Sequence, residues 1–244
     1  MSEQLNRVFD WVPDKDPANK LYRATRRAYD DPVSVLHECG AWLDQGEEGA
    51  CVGFGLAHLL ACNPPAMKVD ARFAREGIYY PSQRRDEYPG GEYPNARPRM
   101  QGTSLKAACK VLVDIGACDG FEWVFGFDEW LHVIPSKPVV LGTKWYGDMM
   151  RPDGKGYVYA SGVEAGGHCW LTRGNDQEKR RGVGRNSWGP HWGRKGDFFI
   201  SHADLRKLLD EEDGEAVTLV NPRAVPLNAV PVEHRNWFAR LFGF

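Results

Sequence analysis

The 244-residue sequence lacks a long apolar run, an excess of charge of one sign and a secretory signal. A membrane-spanning helix needs about 20 mostly apolar residues, so a helical integral membrane protein is excluded. Lysine and arginine number 31 and aspartate and glutamate 33, so no positive field favours a nucleic acid or acidic lipid partner. Residues 1–16 are polar and of mixed charge, and we expect a cytoplasmic protein or a mature chain trimmed before residue 1.

The sequence also lacks the cysteine spacing that marks a metal or redox centre. None of the six cysteines stands in a C-x-x-C pattern, so neither a zinc site nor a thioredoxin-like site is expected, and no cofactor is implied. We expect the thiols to be reduced and most of them to be small buried apolar side chains. The cysteines are at positions 39, 51, 62, 109, 118 and 169.

The first half of the chain has the pattern of a helical lobe, assigned to residues 39–125 after a charged, proline-rich leader of residues 1–38 on the protein surface. An apolar stretch of helix length begins at Cys51 and stops at Pro64, because proline cannot continue a helix. A stretch rich in turn residues follows and predicts a long loop from Tyr79 to Gly102. Thr103 and Ser104 can cap a second helix, which Gly116 ends.

The second half changes to a strand pattern, assigned to a β-rich lobe of residues 126–220 that precedes a tail of residues 221–244. One helix interrupts the strands, with Ser201 and Asp204 in the positions of a capping box. A helical lobe followed by an antiparallel sheet or barrel is an α+β fold. The predicted strands are Val139–Trp145, Gly156–Ser161, Cys169–Arg173, Gly182–Asn186, Asp197–Ser201 and Ala216–Val220.

Four residues have the properties that acyl transfer by a thiol requires: a nucleophile, a base, a group that orients the base, and an oxyanion donor. Cys51 opens a helix, whose positive end stabilises a thiolate. Gln45 precedes it in a glycine-containing turn and can offer its amide to an oxyanion together with the Cys51 backbone N–H. His168 is the candidate base and Asn186 can hold its second ring nitrogen, with Trp188 shielding that bond from water.

These residues stand in motifs that resemble those of the papain-like cysteine peptidases. The Gln-Gly-x-Cys-Gly-Ser-Cys block is matched by residues 45–51, the Gly-His block by residues 167–168 and the Asn-Ser-Trp-Gly block by residues 186–193, in the family's order. The resemblance covers about residues 38–220 and implies two lobes with the active-site cleft between them, Cys51 on the helical side and His168 on the β side. It also implies that Gly102 binds the substrate backbone.

Several positions depart from the family pattern or extend it. Glu48 occupies the place of the family's first half-cystine, and Val52 replaces a tryptophan that often follows the nucleophile. The leader is shorter than the usual inhibitory propeptide of the family. By the resemblance, Thr103, Ser104 and Gly166 border the pocket for the substrate's second residue, and Gly166 with Gly167 leaves space beside His168 for the substrate backbone.

The sequence thus predicts a cysteine peptidase that hydrolyses polypeptides through a thioester acyl-enzyme. A thiol amidase, isopeptidase or cell-wall peptide hydrolase remains an alternative, as does an inactive peptide-binding protein on the same scaffold. The other histidines are expected to be structural, and His58 lies about two helical turns from Cys51, too far to act as its base. These other histidines are His37, His132, His191, His202 and His234.

Overall fold

The computed structural model describes residues 9–24 and 32–229 and has a helical part followed by a sheet, as expected for an α+β protein. Of the predicted regions, residues 1–8 and 25–31 of the leader and residues 230–244 of the tail lie outside the described residues. Within the described ranges, no helix is both long and apolar enough to cross a membrane. The α-helices are α1 (Cys51–Ala61), α2 (Tyr80–Gln83), α3 (Leu105–Asp114), α4 (Gly126–Val133) and α5 (His202–Arg206).

Helix α1 is buried along its whole length and forms the centre of the helical part. Its two glycines allow close approach of other segments, since a Cβ on Gly53 would lie 2.5 Å from the Ala74 carbonyl oxygen and one on Gly55 3.0 Å from the Cys169 sulfur. The helix ends before the Pro64-Pro65 pair, which confirms the predicted end. Cys51 is its first residue, as the sequence predicts.

Helix α3 confirms the predicted second helix and its cap. The Ser104 hydroxyl accepts a hydrogen bond from the Ala107 N–H, and Gly116 follows the helix with a positive φ of 77°. The long loop predicted from Tyr79 begins later than expected, because a π-helix over Phe73–Tyr79 continues directly into α2. The irregular connection therefore starts after α2 and ends at the cap of α3.

The sheet is mainly antiparallel and has eight strands, in the order β2-β8-β3-β5-β6-β7-β4, with β1 also paired to β5. The 13-residue strand β5 pairs with β3 on one side and β6 on the other, and it is longer at both ends than predicted. Strand β4 pairs with β7 in parallel. The strands are β1 (Val35–Leu36), β2 (Gly120–Trp123), β3 (Val139–Tyr146), β4 (Tyr157–Val158), β5 (Glu164–Asp176), β6 (Arg181–Arg185), β7 (Asp197–Ser201) and β8 (Glu215–Val220).

Two apolar clusters meet at strand β5. Cys169 and Leu171 belong to the cluster that contains α1 and α3, whereas Trp170 belongs to the cluster inside the β-rich part. This division follows from the alternation of side chains along a strand. The strand that carries His168 is therefore fixed on both faces, between the two parts of the molecule.

Candidate active site

Cys51 is fully buried at the first position of α1, where no side chain caps the helix. The unpaired backbone N–H groups of a helix start carry a partial positive charge, which favours a thiolate over a thiol. Strand β5 lies directly against this end of the helix. The backbone of Cys169 hydrogen-bonds the Cys51 thiol, and this bond lowers the pKa of the thiol. The candidate nucleophile and the residue after His168 are thus in contact across the two parts of the molecule.

His168 and Asn186 form the pair that the sequence predicts. The His168 Nε2 lies 2.8 Å from the Asn186 Oδ1, and since an amide oxygen only accepts, Nε2–H is the donor. Both residues are buried, and the same Oδ1 accepts a 2.7 Å hydrogen bond from the Ser187 N–H. With Nε2 engaged by Asn186, proton exchange with a thiol falls to Nδ1.

Aromatic rings surround the His168 imidazole. The Trp188 ring centroid lies 5.2 Å from that of His168 at an interplanar angle of 37°, and Trp145 meets the imidazole edge-on at 4.8 Å. Phe9, from the leader, approaches it edge-on at 5.7 Å. Trp188 is buried and packs against the imidazole, and its shielding role stays a prediction.

Gln45 is fully buried in the turn before α1 and is held by two hydrogen bonds. Its N–H donates to the Ser187 carbonyl at 2.9 Å, and its side-chain Nε2 donates to the Glu48 carbonyl at 2.9 Å. The turn is thereby tied to the segment that carries Asn186. Glu48, which replaces the family's half-cystine, forms an ion pair with Arg75, so a charged contact holds the turn to the π-helix.

The leader does not simply lie on the surface as predicted, because residues 9–12, the cleft segment, run between the two parts of the molecule. The Trp11 N–H donates to the Gly167 carbonyl at 2.9 Å, and the Val12 N–H donates to the Thr103 carbonyl at 3.2 Å. Trp11 is buried, with 8% of its surface exposed. The segment therefore hydrogen-bonds both the helical side and the β side.

The cleft segment contacts the residues that the sequence analysis assigns to substrate binding. A Cβ on Gly166 would lie 2.7 Å from the Phe9 Cβ, and one on Gly102 would collide with the Asp10 carbonyl. Gly102 also has a positive φ of 82°, which favours glycine. Its own N–H donates to the Tyr79 hydroxyl at 2.9 Å. Sequence reasoning missed this occupant, although Phe9, Trp11 and Val12 stand out as apolar residues in a charged leader.

The Trp11 indole fills a pocket whose polar end is a half-buried carboxyl group. Its Nε1–H donates to the Glu215 Oε2 at 3.2 Å, and the Asp14 N–H donates to the Glu215 Oε1 at 2.6 Å. Gly142 provides the space, because a Cβ there would collide with the indole. Burial raises the pKa of Glu215 to about 8, although both hydrogen bonds favour the ionised form.

With the cleft segment in place, Cys51 is held as a thiol. Burial is the main cause that raises the pKa of Cys51 to about 12, and the nearby Asp10 carboxylate raises it further. Backbone hydrogen bonds from Cys169, Asp10 and Val52 act in the opposite direction but are outweighed. The cleft segment thus lies against the candidate nucleophile, and its Asp10 both hydrogen-bonds the thiol through the backbone and raises the pKa through its charge.

The ring nitrogens of the remaining histidines with described contacts lie within hydrogen-bond distance of nearby protein groups. His58 accepts its hydrogen bond. The Leu43 N–H donates to the His58 Nε2 at 3.0 Å, and burial lowers the pKa of His58 to about 3. The His202 Nε2 lies 2.8 Å from the Asn175 Oδ1, and the His37 Nε2 lies 2.7 Å from the Ile134 carbonyl oxygen. His132 contacts the Asp128 carbonyl oxygen at 2.6 Å, and His234 lies outside the described residues.

Solved structures of cysteine proteases share this fold at low sequence identity. Xylellain, a cysteine protease from Xylella fastidiosa, matches with a TM-score of 0.69 and 16% identity over 91% of this chain and 99% of its own. Procathepsin L 3 from the larval midgut of Tenebrio molitor matches with a TM-score of 0.58 and 14% identity over 82% of this chain and 74% of its own.

A third match is the bromelain protease from Ananas comosus, solved with the E64 inhibitor, with a TM-score of 0.52 and 11% identity over 75% of this chain and 94% of its own. No protein-family model matches the sequence, and no curated protein is similar to it at a significant level. The chain therefore has the papain-like peptidase fold, a two-lobed α+β fold, which confirms the predicted fold class.

Proposed function

We propose that this chain is a cysteine peptidase that hydrolyses peptide bonds in polypeptides. The observation that carries the proposal is the 2.8 Å bond between His168 Nε2 and Asn186 Oδ1 beside the helix start that holds Cys51. Hydrolysis by a thiol needs a thiolate, a base oriented by a third group, and a donor for the oxyanion. The buried Gln45 amide in the turn before Cys51 supports the last of these roles.

In the proposed reaction, the Cys51 thiol gives its proton to His168 Nδ1 and its sulfur attacks the substrate carbonyl carbon. His168 then passes that proton to the leaving amine as the C–N bond breaks. Asn186 holds Nε2, which leaves Nδ1 to exchange the proton with the thiol. The Gln45 side-chain N–H and the Cys51 backbone N–H stabilise the oxyanion of the tetrahedral intermediate. Water, activated by His168, then attacks the thioester and releases the acid product.

The cleft segment occupies the place that the proposal gives to the substrate, since it contacts the residues predicted to bind the substrate. Its N–H groups hydrogen-bond the carbonyls of Gly167 and Thr103, so an extended peptide fits between the two parts of the molecule. A substrate must displace residues 9–12 before it reaches Cys51, and their departure returns the thiol to water and lowers its pKa. The covered structure thus describes a resting state of the proposed enzyme.

The test compares wild-type protein, Cys51→Ala and the matched control Cys109→Ala, which removes another buried thiol. Each is incubated with an unfolded polypeptide and, separately, with the epoxide E64, and products and labelled sites are identified by mass spectrometry. We expect cleavage and labelling in wild-type protein and Cys109→Ala and neither in Cys51→Ala.

Three results would contradict the proposal. Cleavage that persists in Cys51→Ala would remove the thiol from the mechanism. A wild-type protein that leaves polypeptides intact, even when Trp11→Ala frees the cleft, and instead cleaves isopeptide or cell-wall peptide amides would favour the thiol amidase alternative. A Cys51 that resists the epoxide in Trp11→Ala while peptides still bind would favour a peptide-binding scaffold.

A further inference from the structure

Cys39 and Cys62 face each other across an isolated antiparallel bridge at the C-terminal end of α1. The Gly40 N–H donates to the Ala61 carbonyl at 3.1 Å, and the Asn63 N–H donates to the Glu38 carbonyl at 2.8 Å. These two bonds flank the cysteines, which makes them a non-hydrogen-bonded pair of an antiparallel bridge. The Cα atoms of such pairs are about 4.5 Å apart, within the range that a disulfide spans.

The side chains of Cys39 and Cys62 also point toward each other. The two sulfur atoms are 2.6 Å apart, and both residues are buried, with 8% of Cys39 and none of Cys62 exposed. The Cys39 thiol also approaches the His58 carbonyl oxygen at 3.1 Å. Neither residue belongs to the site described above, and the catalytic mechanism uses neither thiol.

We propose that Cys39 and Cys62 are a redox site that forms an intrachain disulfide by exchange with a disulfide oxidant. The Cys39 thiolate attacks one sulfur of the oxidant, forms a mixed disulfide and releases one thiol. The Cys62 thiolate then attacks the Cys39 sulfur, forms the intrachain bond and releases the second thiol. The two cysteines are oxidised, the oxidant's disulfide is reduced, and their two protons pass to the released thiolates.

The surroundings favour Cys39 as the attacking thiol. The hydrogen bond from the Cys62 thiol is the main cause that lowers the pKa of Cys39, and the nearby guanidinium groups of Arg185 and Arg173 lower it further. The same contact raises the pKa of Cys62, which suits the residue that stays protonated until the second step. Cys39 is also the more exposed of the two.

The crosslink would close the part of the chain that carries half of the candidate active site. Residues 39–62 include Gln45, Cys51 and the whole of α1. Closing a loop restricts the unfolded chain, so the oxidised protein should be more stable than the reduced one. The disulfide also compensates for Glu48, which stands where the family's half-cystine would brace the same turn. Its formation does not depend on the proposed peptidase activity.

The test uses the full chain and oxidised glutathione as the oxidant. Protein is incubated with or without it, unfolded in the presence of N-ethylmaleimide, digested without reductant and analysed by mass spectrometry. We expect a linked peptide pair that contains Cys39 and Cys62 and has lost two hydrogen atoms, reversed by dithiothreitol. The thermal midpoint should rise by about 5 to 10 °C on oxidation.

Variants separate the two steps and the two proposals. Cys62→Ala should retain glutathione on Cys39, because the resolving thiol is absent, whereas Cys109→Ala and Cys51→Ala should form the linked pair like the wild type. Oxidised wild-type protein in which both cysteines carry N-ethylmaleimide, or in which glutathione remains on Cys39, would overturn the proposal. Because the linked mass is measured in Cys51→Ala as well, failure of the peptidase proposal leaves this result unaffected.

Discussion

Replacing Trp11 by alanine should open the cleft, and the structure allows the size of the effect to be worked out. The indole is buried, and its Nε1–H donates to Glu215. Truncating a buried tryptophan to alanine costs about 3–5 kcal/mol. If residues 9–12 leave the cleft while the rest of the protein stays folded, this loss acts on the docking equilibrium. Taking the lower value, the ratio of open to covered protein rises by about 100-fold.

The assay measures the second-order rate constant with which E64 labels Cys51. The E64 concentration is kept low enough that labelling is slower than opening and closing of the cleft. We expect the rate in Trp11→Ala to exceed that of the wild type by up to about 100-fold, the limit being reached only if the wild type is almost fully covered. Leu21→Ala is the matched control, because Leu21 is also in the leader but has 85% of its surface exposed. Its labelling rate should equal that of the wild type.

Two outcomes would refute the reasoning. An unchanged labelling rate in a folded Trp11→Ala protein would mean that the indole does not hold the cleft segment in place. A rate that rises equally in Leu21→Ala would mean that the leader acts through something other than the buried contact. Near-ultraviolet circular dichroism of each variant distinguishes an open cleft from general loosening, because the tryptophans packed around His168 should keep their fixed environment.

Three further predictions concern single side chains. Asn186→Ala should lower kcat by up to about 10⁴-fold, with little change in KM, because His168 loses its orientation; steady-state kinetics would measure both. Gln45→Ala should slow acylation about 10- to 1,000-fold in single-turnover experiments, and an unchanged rate would assign the oxyanion to other donors. The pKa of Glu215 is raised from 4.5 to about 8, so the folded state holds this proton more tightly than the unfolded chain does. Stability from this group is present below pH 4.5 and lost as the pH rises through 8, and Glu215→Gln should remove that loss from thermal midpoints measured across this range.

The sequence predicted those strands and helices that are marked by short sequence patterns, such as a β-prone run between turn residues or a capping side chain. Strand β7 was predicted with its observed bounds, and α3 with its Ser104 cap. Strand β2 and helix α4 were missed, because β2 has only four residues and α4 has no capping side chain at its start. The prediction began β5 too late, because the first residues of the strand include the glycine pair before His168 and glycine lowers strand propensity. Pairing with β3 overrides that preference.

The site was predictable where its residues stand in motifs and unpredictable where its contacts are long-range. His168 and Asn186 are 18 residues apart and meet as expected. Trp11 and Glu215 are separated by 204 positions, and no local pattern links a leader tryptophan to a carboxylate at the start of β8. Interpreting the leader from its charge alone therefore placed it on the surface. Its few apolar residues decide where it lies, because each buries far more apolar surface than its charged neighbours.

In the proposed peptidase, the reactivity of Cys51 and the position of the cleft segment are coupled in one equilibrium. Burial under the segment raises the pKa of the thiol to about 12, so a thiolate would form there only at the cost of desolvation. Release of the segment exposes the sulfur to water and also removes the Asp10 carboxylate from its side, while the helix start remains. On the proposed function, access for substrate and formation of the nucleophile are therefore gained together. A cover of this kind suppresses reaction with solvent oxidants as well as with substrates, since both require the same thiolate.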